Sequence, residues 1–366
     1  MQALILAGGE GTRLRPLTST VPKPVVPLVD RPFIAFMLDW LRRHGVDDVV
    51  LGCGHLAAGV RNVLGDGSAF GIRLRYVEEP RPLGTGGALK FAEQLLDERF
   101  LMLNGDVLSD IDVSAQVGRH EATGATATLT LTPVEDPSAY GLVRTADDGT
   151  VTGFVEKPSP DQVDTHNISA GIYVLERGVL DMLEAGEPAS IERDVFPALV
   201  GQGLYAHVGE GYWRDIGTPA GYLEATYDIL EGTVRTPVAD RLGPDYLCVE
   251  DRVESAGRIV PAALVESDCR IGEGAHVGGR AVLEHGVTVG PHTTVERAVV
   301  MRGAEIGAHC TLRGCVVGGG VRIGDHTRVE GLAVLGEGVT IGAGNVVTNG
   351  ARVFPAVTIP DGGLLF

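Results

Sequence analysis

From about residue 248 the chain keeps an apolar period of six residues, which neither an α-helix, at 3.6 residues per turn, nor an ordinary strand, at two, can generate. Ile271, Val277, Leu283, Val289, Val295 and Met301 recur in that phase. After short slips Ile323, Val329, Leu335, Ile341, Val347, Val353 and Ile359 resume it. The dipeptides Ile271-Gly272, Val289-Gly290, Ile306-Gly307, Ile323-Gly324 and Ile341-Gly342 fall 18, 17, 17 and 18 residues apart, so three hexapeptides close one coil. Apolar residues pointing into a triangular prism, with small residues turning its corners, describe a left-handed parallel β-helix of hexapeptide repeats. A sandwich of short Gly-rich strands would not hold the phase for so long.

The first half reads differently. Residues 2–7 form an apolar run broken by Gly8-Gly9, as in a buried parallel strand entering a tight loop. Phe33, Phe36, Met37, Trp40 and Leu41 lie at helical spacing within Pro32–His44, and Gly45 supplies a C-terminal stop. A strand at Asp48–Leu51, a helix at Gly86–Asp97 and a strand at Phe100–Leu103 continue the alternation, which implies an α/β, Rossmann-like, mostly parallel sheet. Segments 126–132, 141–145, 150–156 and 171–175 are expected to add strands, two of them joined by a turn at Asp147-Asp148-Gly149. With Gly232, Pro237, Gly243 and Pro244 interrupting both patterns, the expected division is a catalytic domain over 1–232, a linker over 233–250 and the β-helix over 251–366. A chain of 366 residues has room for both.

Composition narrows the classes. The net charge of −18 argues against a nucleic-acid partner, whose phosphates demand clustered Lys and Arg. Cys53, Cys248, Cys269, Cys310 and Cys315 are odd in number and form no CxxC pair, which disfavours a disulfide framework and a zinc site. No run approaches the roughly 20 apolar residues of a membrane span, and no charged-then-apolar leader precedes the first run, so a cytoplasmic protein is expected.

The chemistry-bearing stretch follows the first strand: Gly8-Gly9-Glu10-Gly11-Thr12-Arg13-Leu14-Arg15-Pro16. Glycines there let backbone N–H groups approach phosphate oxygens. No Gly-Lys-Ser/Thr closes the loop and its spacing is not G-x-G-x-x-G, so kinase-like and dehydrogenase readings lose support. In Pro22-Lys23-Pro24 the prolines restrict the backbone around one lysine, and Arg13 with Lys23 could hold a triphosphate.

Residues 8–18 and 23–24 resemble the G-G-x-G-T-R-L-x-P-L-T and K-P stretches of the sugar-1-phosphate nucleotidyltransferases. The resemblance continues through Pro82-Leu83-Gly84-Thr85-Gly86-Gly87-Ala88, Asn104-Gly105-Asp106, Val155-Glu156-Lys157-Pro158, Asn167 with Ser169-Ala170-Gly171, and Trp213-Arg214-Asp215-Ile216-Gly217. It implies nucleotide contacts from Ala7, Gly8, Gly9, Gly11, Thr12, Arg13, Gly84 and Thr85, and sugar-phosphate contacts from Gly141, Glu156, Lys157 and Asn167. It also implies a Mg2+ ion on Asp106 and Asp215, and catalysis by Arg13, Lys23, Asp106, Lys157 and Asp215. The implied reaction joins a nucleoside triphosphate to a sugar 1-phosphate and releases pyrophosphate.

Within that family the chain is most similar to GDP-mannose pyrophosphorylases, from Ser190-Ile191-Glu192-Arg193-Asp194-Val195-Phe196-Pro197 and from Arg328-Val329-Glu330-Gly331 to Val334-Leu335-Gly336. GTP and mannose 1-phosphate are the leading substrates; thymidylyl, uridylyl and adenylyl transfer to glucose 1-phosphate share the core motifs. Asn104-Gly105-Asp106 stands where eukaryotic relatives carry Asn-Ser-Asp, and Gly52–Gly59 has no clear counterpart there. Hexapeptide β-helices also serve acyltransferases, for which His276, His285, His292, His309 and His326 are candidates by location. A non-catalytic nucleotide-sugar-binding subunit is a third reading, disfavoured because Arg13, Lys23, Asp106, Lys157 and Asp215 are all present. The β-helix is then expected to be an oligomerisation or regulatory platform, giving a homo-oligomer.

Overall fold

The computed structural model describes residues 1–54 and 57–364; His55 and Leu56, within the divergent Gly52–Gly59 stretch, lie outside the described residues. The chain divides into two compact units. The first comprises Met1–Glu10 and Ile34–Trp213, the second Gly11–Phe33 and Arg214–Phe366.

The first unit is built on a nine-stranded sheet. Its strands are β1 (Gln2–Leu6), β2 (Asp48–Cys53), β3 (Arg73–Glu78), β4 (Arg99–Asn104), β5 (Ala127–Pro133), β6 (Gly141–Thr145), β7 (Val151–Glu156), β8 (Asn167–Glu176) and β9 (Leu204–Val208). The path runs β7-β6-β8-β4-β1-β2-β3, with β5 pairing β8 and β9 pairing β5. Strands β4, β1, β2 and β3 are mutually parallel, the Rossmann-like half; β8 against β4 and β6 against β7 are antiparallel. Helices α1 (Phe33–Arg43), α2 (Ala57–Leu64), α3 (Gly84–Phe91) and α4 (Val113–Thr123) connect them.

Local causes are visible. Phe36, Met37, Trp40 and Leu41 of α1 are all buried, and the Trp40 indole N–H donates to Ile111 O at 2.9 Å. Asp112 caps α4 by accepting from the N–H groups of Ser114 and Ala115, and Gly124 ends it in a left-handed conformation. The Asp147-Asp148-Gly149 turn forms as expected, with Gly149 N–H on Ala146 O.

In the second unit three parallel sheets of seven, seven and six strands run from Leu247 to Ile359, the arrangement of a left-handed β-helix. Register stacks Leu264-Val265, Val282-Leu283, Val299-Val300, Val316-Val317, Val334-Leu335 and Arg352-Val353 on one face. One expectation is corrected there. Val300, not Met301, stands beneath Leu283 in the core, because the coil that ends there is one residue short. Met301 is displaced to the wall of a cavity. The five cysteines are free thiols.

Residues 11–33 fold with this coil. They form short 3-10 turns at Thr12–Leu14, Leu17–Ser19 and Lys23–Val25, then a hairpin of Pro27–Leu28 with Arg31–Pro32. The helix Pro219–Leu230, capped by Thr218, anchors them through the Tyr222 hydroxyl, which donates to Pro27 O at 2.6 Å.

Candidate active site

In the first unit, two backbone bonds bring two candidate segments together. Ala7 N–H donates to Gly52 O and Gly105 N–H to Leu6 O, each at 2.8 Å, so Ala7–Gly9 and Asn104-Gly105-Asp106 leave the sheet side by side. The carboxyl ends of adjacent parallel strands are where α/β sheets take ligands. A Cβ on Gly8 would stand 2.9 Å from Glu79 Oε1, so the Glu79 carboxylate rests close against the glycine loop. Glu79 accepts from Leu83 N–H at 3.2 Å, and burial pushes its carboxyl above the usual range. Asn104 Oδ1 is buried and has no hydrogen-bond partner among the described residues. With Asp106 it supplies hard oxygen donors at the strand end, the donor type that suits Mg2+. No group of three or more His, Cys, Asp or Glu able to hold a metal occurs among the described residues. The unpartnered Asn104 Oδ1 beside Asp106 fits an ion that completes its shell with phosphate oxygens and water.

The sugar-phosphate candidates lie on the antiparallel side. Gly141 faces Glu156 across β6 and β7, and Lys157 follows with a left-handed φ of 53°, its N–H donating to Tyr140 O at 2.9 Å. A non-glycine residue in that region is strained, a feature that concentrates at functional sites. Burial pushes Glu156 up and nearby Glu192 adds to it, while Lys157 and Arg193 pull the other way. Asn167 begins β8, its N–H on Thr165 Oγ1 at 3.3 Å. The Trp213 indole donates to Ala170 O at 2.8 Å and meets Tyr140 edge-on at 5.5 Å.

Gly84 and Thr85 have structural employment of their own. The Thr85 hydroxyl donates to Glu192 Oε2 at 2.6 Å and accepts from Ile191 N–H at 3.0 Å; Ser190 donates to the same Glu192 oxygen at 2.8 Å. Gly86 N–H and Gly87 N–H both reach Ala189 O. What this stretch has left for a ligand is backbone.

The second unit holds Gly11, Thr12, Arg13, Lys23 and Asp215. Gly11 has φ +62°, its carbonyl accepts from Thr18 Oγ1 at 2.7 Å, and a Cβ there would sit 3.1 Å from Lys23 Cβ. The glycine loop and the proline-bracketed lysine are thus backed onto each other. Arg13 Nη2 lies 3.6 Å from Asp215 Oδ2, with the Arg13 side chain 61% exposed. Asp215 Oδ1 accepts from Gly217 N–H at 2.5 Å, which fixes its carboxylate. From the coil, Arg352 Nη1 donates to Arg15 O at 2.5 Å and reaches Arg13 O at 3.5 Å, and Thr20 donates to Glu337 Oε2 at 3.1 Å.

Sequence reasoning gave Glu79, Glu192 and Arg352 no role. Glu79 follows a strand, β3, that alternates Arg73 and Arg75 with apolar residues and carries no motif. Glu192 lies in a stretch quoted only for likeness. Arg352 is an outward residue of a hexapeptide, indistinguishable by period from any other.

A model of the nucleotidyl transferase family matches residues 2–232, and a model of the GMPPB C-terminal domain matches residues 259–362. The chain belongs to the nucleotidyl transferase family. Members of this family generally use a divalent metal. This nucleotidyl transferase is 37% identical to mannose-1-phosphate guanylyltransferase of Mycobacterium tuberculosis, over 81% of this chain and 83% of that one. It is 36% identical to mannose-1-phosphate guanylyltransferase 1 of Arabidopsis thaliana, over 97% of this chain and 96% of that one. With UTP–glucose-1-phosphate uridylyltransferase of Synechocystis it shares 32% identity, over 78% and 83%. Among solved structures, HddC from Yersinia pseudotuberculosis complexed with GMP-PN superposes with a TM-score of 0.53 at 27% identity, covering 61% of this chain and 97% of HddC. No helix among the described residues is long and apolar enough to cross a membrane.

Proposed function

We propose that this nucleotidyl transferase joins GTP to mannose 1-phosphate, giving GDP-mannose and pyrophosphate. The observation that carries the reading is the likeness to the Arabidopsis guanylyltransferase through both halves of the chain, coil included. The guanine-nucleotide analogue in HddC supports the choice of base.

A phosphate oxygen of the sugar 1-phosphate attacks the α-phosphorus and pyrophosphate leaves in line. That oxygen is already anionic at neutral pH, so the enzyme needs positioning and charge neutralisation rather than a general base. Backbone N–H groups of Ala7, Gly8, Gly9, Gly11 and Thr12 receive the triphosphate, with Arg13 and Lys23 on its charge. Backbone of Gly84 and Thr85 lies along the base. Glu156 accepts sugar hydroxyls, Asn167 and Gly141 border the sugar, and Lys157 meets the sugar phosphate. Mg2+ held by the Asp106 and Asp215 carboxylates would offset negative charge on the reacting phosphates.

The test is a matrix of the four nucleoside triphosphates against mannose, glucose and galactose 1-phosphates, read by pyrophosphate release. The expected winner is GTP with mannose 1-phosphate; preference for UTP with glucose 1-phosphate would replace this reading by that of the Synechocystis relative. The proposal extends to a cytoplasmic homo-oligomer with functional parts at 1–232 and 251–366. A monomeric mass by light scattering at micromolar concentration would remove the oligomer.

A further inference from the structure

Within the second unit one strand column of the coil breaks its own pattern. Val265, Leu283, Val300, Val317 and Leu335 take the inward positions of the first of the three sheets. Alternate residues of a strand point to opposite faces, so Leu264, Val282, Val299, Val316 and Val334 form the outward column, and all five are nevertheless fully buried. The next residue in register, beside Val334, is the exposed Arg352. Other arginines of the coil find a carboxylate: Arg270 pairs with Glu254, Arg313 with Glu296, Arg322 with Glu305 and Arg328 with Glu330. Arg352 is directed elsewhere. Its Nη1 donates to Arg15 O at 2.5 Å and reaches Arg13 O at 3.5 Å, both carbonyls of the turn that continues the glycine loop.

That turn begins at Gly11, with Leu14 N–H on Gly11 O at 2.9 Å, Arg15 N–H on Thr12 O at 3.2 Å and the Leu14 side chain buried. The Arg13 side chain is 61% exposed, and its guanidinium reaches Asp215 Oδ2 at 3.6 Å. With so little packing around it, the guanidinium depends for its place on where the backbone sets its Cα and on Asp215. We propose that Arg352 is a positioning residue for nucleotidyl transfer, holding the Arg13 and Arg15 carbonyls from the coil so that Arg13 meets the triphosphate already oriented. Orientation set in advance lowers the cost of binding, because less freedom is lost when the nucleotide arrives. The inference rests on the reading of Arg13 as a triphosphate ligand.

The test is a double-mutant cycle of Arg352→Val and Arg13→Gln in the full chain, read by steady-state kinetics with the nucleoside triphosphate that the substrate matrix selects. Valine is what neighbouring coils carry at this place, so the column itself is preserved. Arg352→Val is expected to raise the nucleotide KM several-fold with kcat nearly unchanged, and Arg352→Lys, which restores one cationic donor, should recover most of the loss. On the Arg13→Gln background Arg352→Val should change KM little, since two substitutions that act through one contact do not add. Full additivity would mean that Arg352 acts on the nucleotide without Arg13 and would overturn the inference. So would a lowered Tm with unchanged KM, or a lysine variant no better than valine. Arg13→Gln with unchanged nucleotide KM would remove Arg13 from the triphosphate site and this inference with it, whereas a raised KM in Arg13→Gln but not in Arg352→Val removes the role of Arg352 alone. Should Arg352→Val fail to fold, Arg352→Ala takes its place in the cycle.

Discussion

Glu284→Gln is expected to change the slope of stability against pH, and the magnitude follows from the burial of one carboxyl. The folded protein holds Glu284 at about 7 against an ordinary value of 4.5. Between those values the folded state keeps a proton that the unfolded chain has released, so wild-type stability falls as pH rises through the window. With those two values, the loss attributable to Glu284 between about pH 5.5 and about pH 8.5 is about 2 kcal/mol, the larger part of roughly 3 kcal/mol in all. Gln carries no such titration. The variant should therefore gain about 2 kcal/mol on wild type across that interval, about 4–8 °C in Tm for a unit of this size. Trp40 and Trp213 both lie in the first unit, so calorimetry, which sees the coil, is the assay of choice over intrinsic fluorescence. Parallel pH profiles for the two proteins would refute the reasoning, because they would mean that Glu284 is ionised in the folded state as readily as in the unfolded one.

Two further substitutions test the active site. Asp106→Asn should abolish pyrophosphate release at saturating Mg2+ while leaving the circular dichroism spectrum unchanged; normal metal-dependent turnover would remove Asp106 from the metal site. Arg352→Ala removes a charge-assisted bond to the carbonyls that follow Thr12 and Leu14, worth about 1–2 kcal/mol at an exposed position. It should raise KM for the nucleotide several-fold with kcat nearly unchanged and lower Tm by about 2–8 °C, and unchanged nucleotide KM in steady-state kinetics would make the contact incidental.

The coil was legible because its period is a property of the chain alone. The six-residue phase positions are apolar whatever they meet, and the one error among them, Met301 for Val300, came where a coil drops a residue and the register across coils overrides the local phase. The parallel half of the sheet was legible where strands are buried on both faces, as in β1, β2 and β4. It was not at β3, where Arg73 and Arg75 pair with Asp48 and mask the strand. Candidate site residues were legible where glycine and proline mark special backbone, glycine by permitting turns and close approach and proline by restricting φ. Glu79 and Glu192 lie against residues far along the chain, Gly8 and Thr85, and no local pattern announces such a proximity.

The segment that carries Arg13 and Lys23 is compact with the coil and not with the sheet that carries the rest of the glycine loop. Three side chains account for this. Tyr222 holds Pro27, Glu337 holds Thr20, and Arg352 holds the carbonyls of Arg13 and Arg15. A coil that served only for assembly would have no reason to grip the turns bearing the two cations proposed for the triphosphate. The hexapeptide repeat, expected from the sequence to be an oligomerisation or regulatory platform, thereby also holds the backbone of the turns that bear the two cations proposed for the triphosphate.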